Sequence, residues 1–379
     1  MTDATDGDDT LRLIEDAARG FAAFDAKRIR GWRQAEPGFD RKVWKSMAEQ
    51  GWISILFSEE AGGLGLGIDA AVTVARQLGH GCYPEPFVAA GVVAPALISR
   101  LGPAKLGADT VNAIIAGDHI ACLAWQNAAG SLSPIDTEIT VQQNNGQHVL
   151  SGESRFVPVA DADTFLVTGN VDGELAVYAV PATTEGVMCK SEPLADGGFW
   201  GWLTLTNVAL PEAACLAKGV AAKEAINEAI ELGLLANSAE LTGIMERSLE
   251  LTLEYLKTRK QFGQTIGSFQ VLQHRAVDMW MKLQLTKHTL DAAIKNAMAP
   301  DFSAQARAIS ASSVKSRAAA VALKMANECV QLHGAIGFTD EYDLGLYVNR
   351  TLTIVPFLGN AAEHRRRYGE LKQRARASA

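Results

Sequence analysis

The sequence predicts an α+β multidomain chain: an N-terminal helical domain over residues 1–120, a middle antiparallel β-domain over 121–218 and a C-terminal four-helix-bundle domain over 219–379. Three observations predict it. Apolar residues recur at helical spacing near both ends, period-two runs replace them in the middle, and glycine and proline breaks fall where the period changes.

In the first part, Leu11, Ile14, Ala17, Ala18 and Phe21 mark one helical face, and Val43, Met47 and Trp52 a looser one. Breaks fall at Glu36-Pro37-Gly38, at Gly62-Gly63-Leu64-Gly65 and at Pro84-Glu85-Pro86. The acidic start, MTDATDGDDT, reads as a frayed tail and not as a signal or transit peptide. In the middle part, short strands are expected at 137–142, 148–151, 164–168, 175–180 and 202–208. Asn144-Asn145-Gly146, Asn170 to Gly173 and Asp196-Gly197-Gly198 supply the turns. Three long amphipathic stretches follow, 221–257, 269–298 and 304–333, the last two parted by Pro300. Shorter helices are expected at 344–349 and 361–374, and long neighbouring helices with short links make a bundle.

Composition narrows the function. The chain has 379 residues, 48% of them hydrophobic, and a net charge of −8. That argues against non-specific nucleic-acid binding, which requires a basic face to neutralise phosphates. No apolar run reaches the ~18 residues of a membrane span. The five cysteines, Cys82, Cys122, Cys189, Cys215 and Cys329, have neither metal nor redox spacing. They read as thiols in a reducing cytoplasm, and no metal is expected. The cations of the tail, Arg365-Arg366-Arg367 and residues 372–376, suit a final helix and face solvent.

Two motifs carry chemistry. The run Arg259, Lys260, Gln261, Phe262, Gly263, Gln264, Thr265, Ile266, Gly267, Ser268, Phe269, Gln270 joins two helical patterns. It gathers a fixed cation, aromatic rings, glycines and amides, a mixture suited to a large, anionic, partly aromatic ligand such as a flavin dinucleotide. Arg259 can cap the helix that it ends, and its guanidinium also matches phosphate oxygens with paired hydrogen bonds. The second motif is Gln331, Leu332, His333, Gly334, Ala335, Ile336, Gly337, Phe338, Thr339. A left-handed glycine cap is expected at Gly334, and glycines there let backbone approach a phosphate closely. His333 reads as a cap or packing residue.

These stretches resemble the signatures of the acyl-CoA dehydrogenase family, and the resemblance covers nearly the whole chain. It implies FAD as cofactor. Arg259 and Phe262 match positions on the pyrophosphate and adenine side, Phe269 and Gln270 match further cofactor contacts, and Gln261 and Ile266 belong to the same stretch. Gln331, Gly334, Ala335 (a glycine in the family) and Gly337 match a loop that reaches the FAD of a neighbouring subunit. The resemblance therefore implies an oligomer, either a homotetramer or a pairing with a homologous chain. It also implies an electron-transfer flavoprotein as acceptor. Trp125-Gln126-Asn127 stands where the family has Thr-Glu-Pro; Trp125 can stack on the flavin or lie in the core. Phe156 matches the next flavin contact. Ser58-Glu59-Glu60-Ala61-Gly62-Gly63-Leu64-Gly65 is similar to a family turn near the substrate mouth, and Glu231 matches a position that hydrogen-bonds the CoA pantetheine.

One part is missing. Dehydrogenation needs a carboxylate within hydrogen-bond reach of the α-carbon. In most of the family a glutamate follows an arginine like Arg350. Counted from Arg350 without gaps, the position holds Gly359, within Val355-Pro356-Phe357-Leu358-Gly359-Asn360. The alternative family position on the long helix is Gly233, followed by Leu234. Glu231 is offset by two residues, about 200° around a helix, and Glu240 lies two turns on, roughly 10 Å. The resemblance implies that Glu363 falls near the adenine end of the cofactor. The stretch Phe357 to Arg365 resembles subunits of heteromeric dehydrogenases that act on bulky, sterol-like CoA esters and leave the base to a partner. Two other readings stay open. One is a self-sufficient dehydrogenase with a relocated base. The other is a flavin-dependent monooxygenase, or a flavin-free interaction protein, on the same scaffold.

Overall fold

The long periodic stretches fold as helices close to the predicted bounds. The structure is a computed structural model and describes residues 3–144 and 146–377. Six helices open the chain: α1 (Asp3–Phe21), α2 (Ala26–Trp32), α3 (Arg41–Glu49), α4 (Ile68–His80), α5 (Ala94–Leu101) and α6 (Ala108–Ile115). The tail expected to fray is helical from Asp3. After the Pro84-Glu85-Pro86 break comes a π-helical turn, Phe87–Val93, whose residues are all buried.

Eight strands follow: β1 (Ala121–Ala124), β2 (Thr140–Asn144), β3 (Gln147–Val157), β4 (Thr164–Val171), β5 (Glu174–Pro181), β6 (Val187–Pro193), β7 (Phe199–Pro211) and β8 (Cys215–Lys218). They form one sheet of order β6-β7-β3-β2-β4-β5-β8, with β1 paired to β4. Most pairings are antiparallel, as expected. The exception is β1, which runs parallel to β4 from Ala121↔Thr164 to Ala124↔Val167, and β2 also touches β4 in parallel at Thr140↔Asn170. A parallel partner requires a crossover, and the chain between β1 and β4 provides it. The β3–β7 ladder slips twice, between Leu150 and Gly152 and between Ser154 and Val157. The second slip is a bulge that turns Phe156 to φ +56.

The 40-residue helix α7 (Gly219–Thr258) comes next. A two-rung hairpin, β9 (Lys260–Gln261) and β10 (Gln264–Thr265), leads to α8 (Gln270–Met298), α9 (Ala304–His333), α10 (Leu344–Ile354) and α11 (Ala361–Ala377). Ser303 caps α9 by accepting from Ala306 N, just past the Pro300 break.

By contact the chain falls into two compact units. One comprises Met1–Gly31, Val72–Tyr83 and Leu234–Ala379; the other comprises Trp32–Ala71 and Pro84–Gly233. This division cuts at different places from the three-part reading by periodicity, because α2, α4 and α7 each run across it. Within the first unit, α4 and α7 meet backbone to backbone. A Cβ at Gly243 would lie 1.9 Å from Arg76 O, and one at Gly79 2.1 Å from Glu240 O, so only glycine fits at either crossing. Arg76 braces the crossing with two hydrogen bonds to Glu246, at 2.6 and 2.8 Å. Small residues on α9, among them Ala318, Ala319 and Ala322, are fully buried and let this helix pack at the centre of its unit.

Candidate functional site

Arg259 follows the last turn of α7, its amide bonded to Tyr255 O at 2.9 Å. The hairpin turns on Phe262 and Gly263, with φ +52 and +76. Two consecutive positive φ values define the tight turn that suits a right-twisted hairpin, and phenylalanine is an unusual occupant of its first position. Phe262 is 93% exposed. Its ring meets Phe269 edge-on at 6.2 Å. Arg259 is exposed, and no carboxylate pairs with it among the described residues. Gln261 and Gln270 are exposed and Ile266 is half-buried, its amide bonded to Arg259 O at 2.8 Å.

The Gly334 motif starts from the same place. Tyr255 stacks on His333 at 4.5 Å. His333 is buried, with Nδ1 2.7 Å from Cys329 O and Nε2 3.2 Å from Tyr342 Oη. The carbonyl can only accept, so Nδ1 carries the proton and Nε2 accepts from Tyr342. Burial lowers the pKa of His333, and the ring is a packing piece that sets the two motifs side by side. Gly334 has φ +67 and ψ −142. That conformation belongs to glycine, but it is not the left-handed helical cap expected, because the chain continues into a 3₁₀ turn, Gly334–Phe338. A side chain added at Gly334 or Gly263 would meet nothing within 4 Å, whereas one at Gly337 would press on Val330 O at 3.0 Å. Gln331 and Ala335 are exposed, and Gln331 and Gly337 line a cavity of about 290 Å³ together with Asn327, Thr339, Asp340 and Asn349.

In the other unit, Phe156 projects from its bulge at 37% exposure. Trp200 meets it edge-on at 6.4 Å, and a Cβ at Gly130 would lie 3.6 Å from its ring. The 125–131 loop is fixed to β3: Gln126 O accepts from Arg155 N at 2.8 Å and from Ser154 Oγ at 3.2 Å. Trp125 is only 5% exposed, so of its two readings the structure favours core, with no free face for stacking. Arg155 lies 3.8 Å over the Trp202 ring and pairs with Glu192 at 3.3 Å.

The two positions where the resemblance expects a base, Gly359 and Gly233, are closed in different ways. Gly359 is buried with φ +102, and Leu358 before it has φ +57. Gly233 is buried inside α7. Glu231 is half-buried on the same helix. Glu240 is committed elsewhere: Arg350 donates to its Oε1 at 2.6 and 3.0 Å, and the two side chains are 9% and 13% exposed. Glu363 Oε2 accepts from Asn360 N at 2.7 Å, closing the first turn of α11. Sequence reasoning missed the Glu240–Arg350 pair and the buried Lys315. The signal for Lys315 was present, since it falls on the helical spacing of Ala308, Ala311, Ser312, Ala318 and Ala322.

Against known proteins, residues 8–118 match the acyl-CoA dehydrogenase N-terminal domain and residues 223–370 the acyl-CoA dehydrogenase C-terminal domain. The acyl-CoA dehydrogenase IpdE2 of Mycobacterium tuberculosis is 30% identical, over 85% of this chain and 84% of its own. The acyl-CoA dehydrogenase FadE27 of the same organism is 29% identical, over 88% of each. Among solved structures, a chain of the ChsE4-ChsE5 complex from M. tuberculosis superposes with a TM-score of 0.82 at 26% identity, over 98% of this chain and 97% of that one. The chain belongs to the acyl-CoA dehydrogenase family. It is a flavoprotein oxidoreductase that acts on CH–CH bonds and takes FAD. No helix among the described residues is long and apolar enough to cross a membrane. The residues present fit the cofactor. An unpaired guanidinium, an outward aromatic ring on a strained turn and two glycines opening on free space make a surface that a dinucleotide would cover.

Proposed function

We propose that this chain takes part in α,β-dehydrogenation of an acyl-CoA thioester as one subunit of a mixed oligomer, and that a homologous partner chain supplies the catalytic base. The observation that carries the reading is the backbone at Gly359. At φ +102 a side-chain-bearing residue is strained, so the turn is shaped for glycine and not for a glutamate. Glu240, the nearest alternative on the face of Gly233, has its Oε1 taken twice by Arg350.

Bound FAD would supply the hydride acceptor for the β-carbon. The chain's own residues do the rest of what is asked of them here. Arg259 holds pyrophosphate oxygens, Phe262 covers the adenine side, and Phe269 and Gln270 continue that contact. Gln331, Gly334, Ala335 and Gly337 bring backbone to the cofactor of a neighbouring chain. Phe156 lies against the flavin ring, and Glu231 binds the pantetheine. The Pro356–Asn360 turn walls the reacting carbons without taking the proton.

A second chain is also supported by α8. Val277, Trp280, Met281 and Leu285 are exposed at helical spacing, an apolar stripe that solvent does not suit. The likeness to a complex of two different chains favours a homologous partner. The resemblance of the tail to such subunits favours a bulky, sterol-like CoA ester as substrate and an electron-transfer flavoprotein as acceptor. The test is co-expression with a homologous chain that has a glutamate at either vacant position. The reading expects a stable complex with fewer FAD than chains, whose flavin bleaches under anaerobic acyl-CoA. A stable, fully active homotetramer of this chain alone would overturn it.

A further inference from the structure

The geometry points to Lys315 as a positioning residue, whose side chain sets the course of the Pro356–Asn360 turn. Only the role of the turn rests on the function proposed above; the contacts lie within one packed unit.

Lys315 is 0% exposed. Its ammonium donates to Asn237 Oδ1 on α7, to Val355 O at 2.9 Å and to Ile354 O at 3.4 Å. Those two carbonyls end α10; Val355 O is one of the orphan acceptors of a helix end, and Ile354 O has only a turn bond from Phe357 N at 3.3 Å. A cation there is also favoured by the negative end of the helix dipole. Three N–H groups meet three acceptors. The far end of the turn is held from α11, where His364 Nε2 lies 2.8 Å from Leu358 O. Between these anchors the chain makes two consecutive positive-φ residues, Leu358 and Gly359, a conformation that the surroundings must enforce. Asn237 stands one helical turn beyond Gly233, so one ammonium ties the helix that bears one vacant position to the turn that bears the other.

The charge state matters to this role. Burial lowers Lys315 to about 7, against the pull of Glu240 and Glu363. The other charged or titratable groups around it are Arg350, bonded to Glu240, and His364 and Arg367 on α11. A neutral amine has two N–H groups for three acceptors, so raising the pH through neutrality removes one of the three ties between Lys315 and its neighbours. A lysine serving stability alone would lower the melting temperature when replaced, because its acceptors stay buried without a donor, and would leave the rate of the folded enzyme unchanged.

The test uses the complex with the homologous partner and anaerobic stopped-flow reduction by acyl-CoA. K315M is expected to keep its FAD content and to melt at a lower temperature, and in the folded complex to reduce its flavin roughly 10²-fold more slowly at pH 6, with KM little changed. The ratio of wild-type to K315M rates should narrow as pH rises through about 7. Hydrogen exchange in the 355–360 segment should rise in K315M whether or not any acyl-CoA is turned over. Rates equal to wild type across pH, or unchanged exchange, would overturn the assignment. If K315M does not fold, N237L serves, with a smaller expected loss of rate and the same rise in exchange. A wild-type complex that no acyl-CoA reduces would instead sink the proposed function, and the exchange result would still decide the role of Lys315.

Discussion

Replacing Gly359 by alanine isolates the backbone argument from every other effect. The residue is buried at φ +102, outside the range that an L side chain adopts freely. Forcing alanine into such a region costs about 1–3 kcal/mol. The control is Gly369 in α11, where no positive φ is found and an added Cβ meets nothing within 4 Å. There the same change should stabilise by about 0.4–1 kcal/mol, by narrowing the unfolded ensemble in a helix-favouring position. The two variants should therefore differ by roughly 1.5–4 kcal/mol with opposite signs. Urea denaturation measures this as midpoints moving apart at an unchanged slope. G359E should lose at least as much as G359A, since it adds a buried carboxylate to the same strain. A neutral or stabilising G359A would show that the turn tolerates side chains, and the claim that it is closed to a base would fall.

Further outcomes follow from other contacts. R259A should weaken FAD binding roughly 10- to 150-fold, the loss of charge-assisted hydrogen bonds worth about 1.5–3 kcal/mol, and titration followed by flavin fluorescence reads it; unchanged affinity would remove Arg259 from the cofactor. F262A should lower FAD affinity while moving stability by less than about 0.5 kcal/mol, because its ring packs almost entirely against solvent. E240L or R350L alone should destabilise by about 3–5 kcal/mol by stranding a buried charge, whereas E240L/R350L should approach wild type; additive losses would contradict the pairing. His364 gives a pH test. Burial, helped by Lys315 and Arg367, lowers it to about 3, so between its ordinary 6.5 and about 3 the unfolded chain binds a proton that the folded chain refuses. Stability contributed by the neutral ring is present above 6.5 and is lost as pH falls through that window, by up to about 1.4 kcal/mol per pH unit. H364N should flatten that part of the acid limb; a parallel limb would count against the burial.

The bundle was easy to read because its signal is long. Helices α8 and α9 keep a 3.6-residue apolar period over many turns and have sharp stops, Pro300 between them and a glycine after His333. Strands β1, β6 and β8 escaped notice. Two are four residues long, and β6, VMCKSEP, is polar and half-exposed, so neither alternation nor apolar content marks it. The Arg259 and Gly334 motifs were legible as chemistry. Their adjacency was not, because it depends on the Tyr255–His333 stack between residues 78 positions apart.

Residue order alone determined the helix–sheet–helix sequence and the make-up of the Arg259 and Gly334 motifs, since each is written in local period or residue identity; that Gly359 and Gly233 stand where a base is expected is what the family resemblance implies. Tertiary structure decided what those residues are free to do. It buried Trp125, bound Glu240 to Arg350, turned Phe156 and Phe262 into positive φ, and set Lys315 on the carbonyls of α10. Exposure, partners and backbone sign depend on which distant segments meet, and a one-dimensional pattern does not contain that.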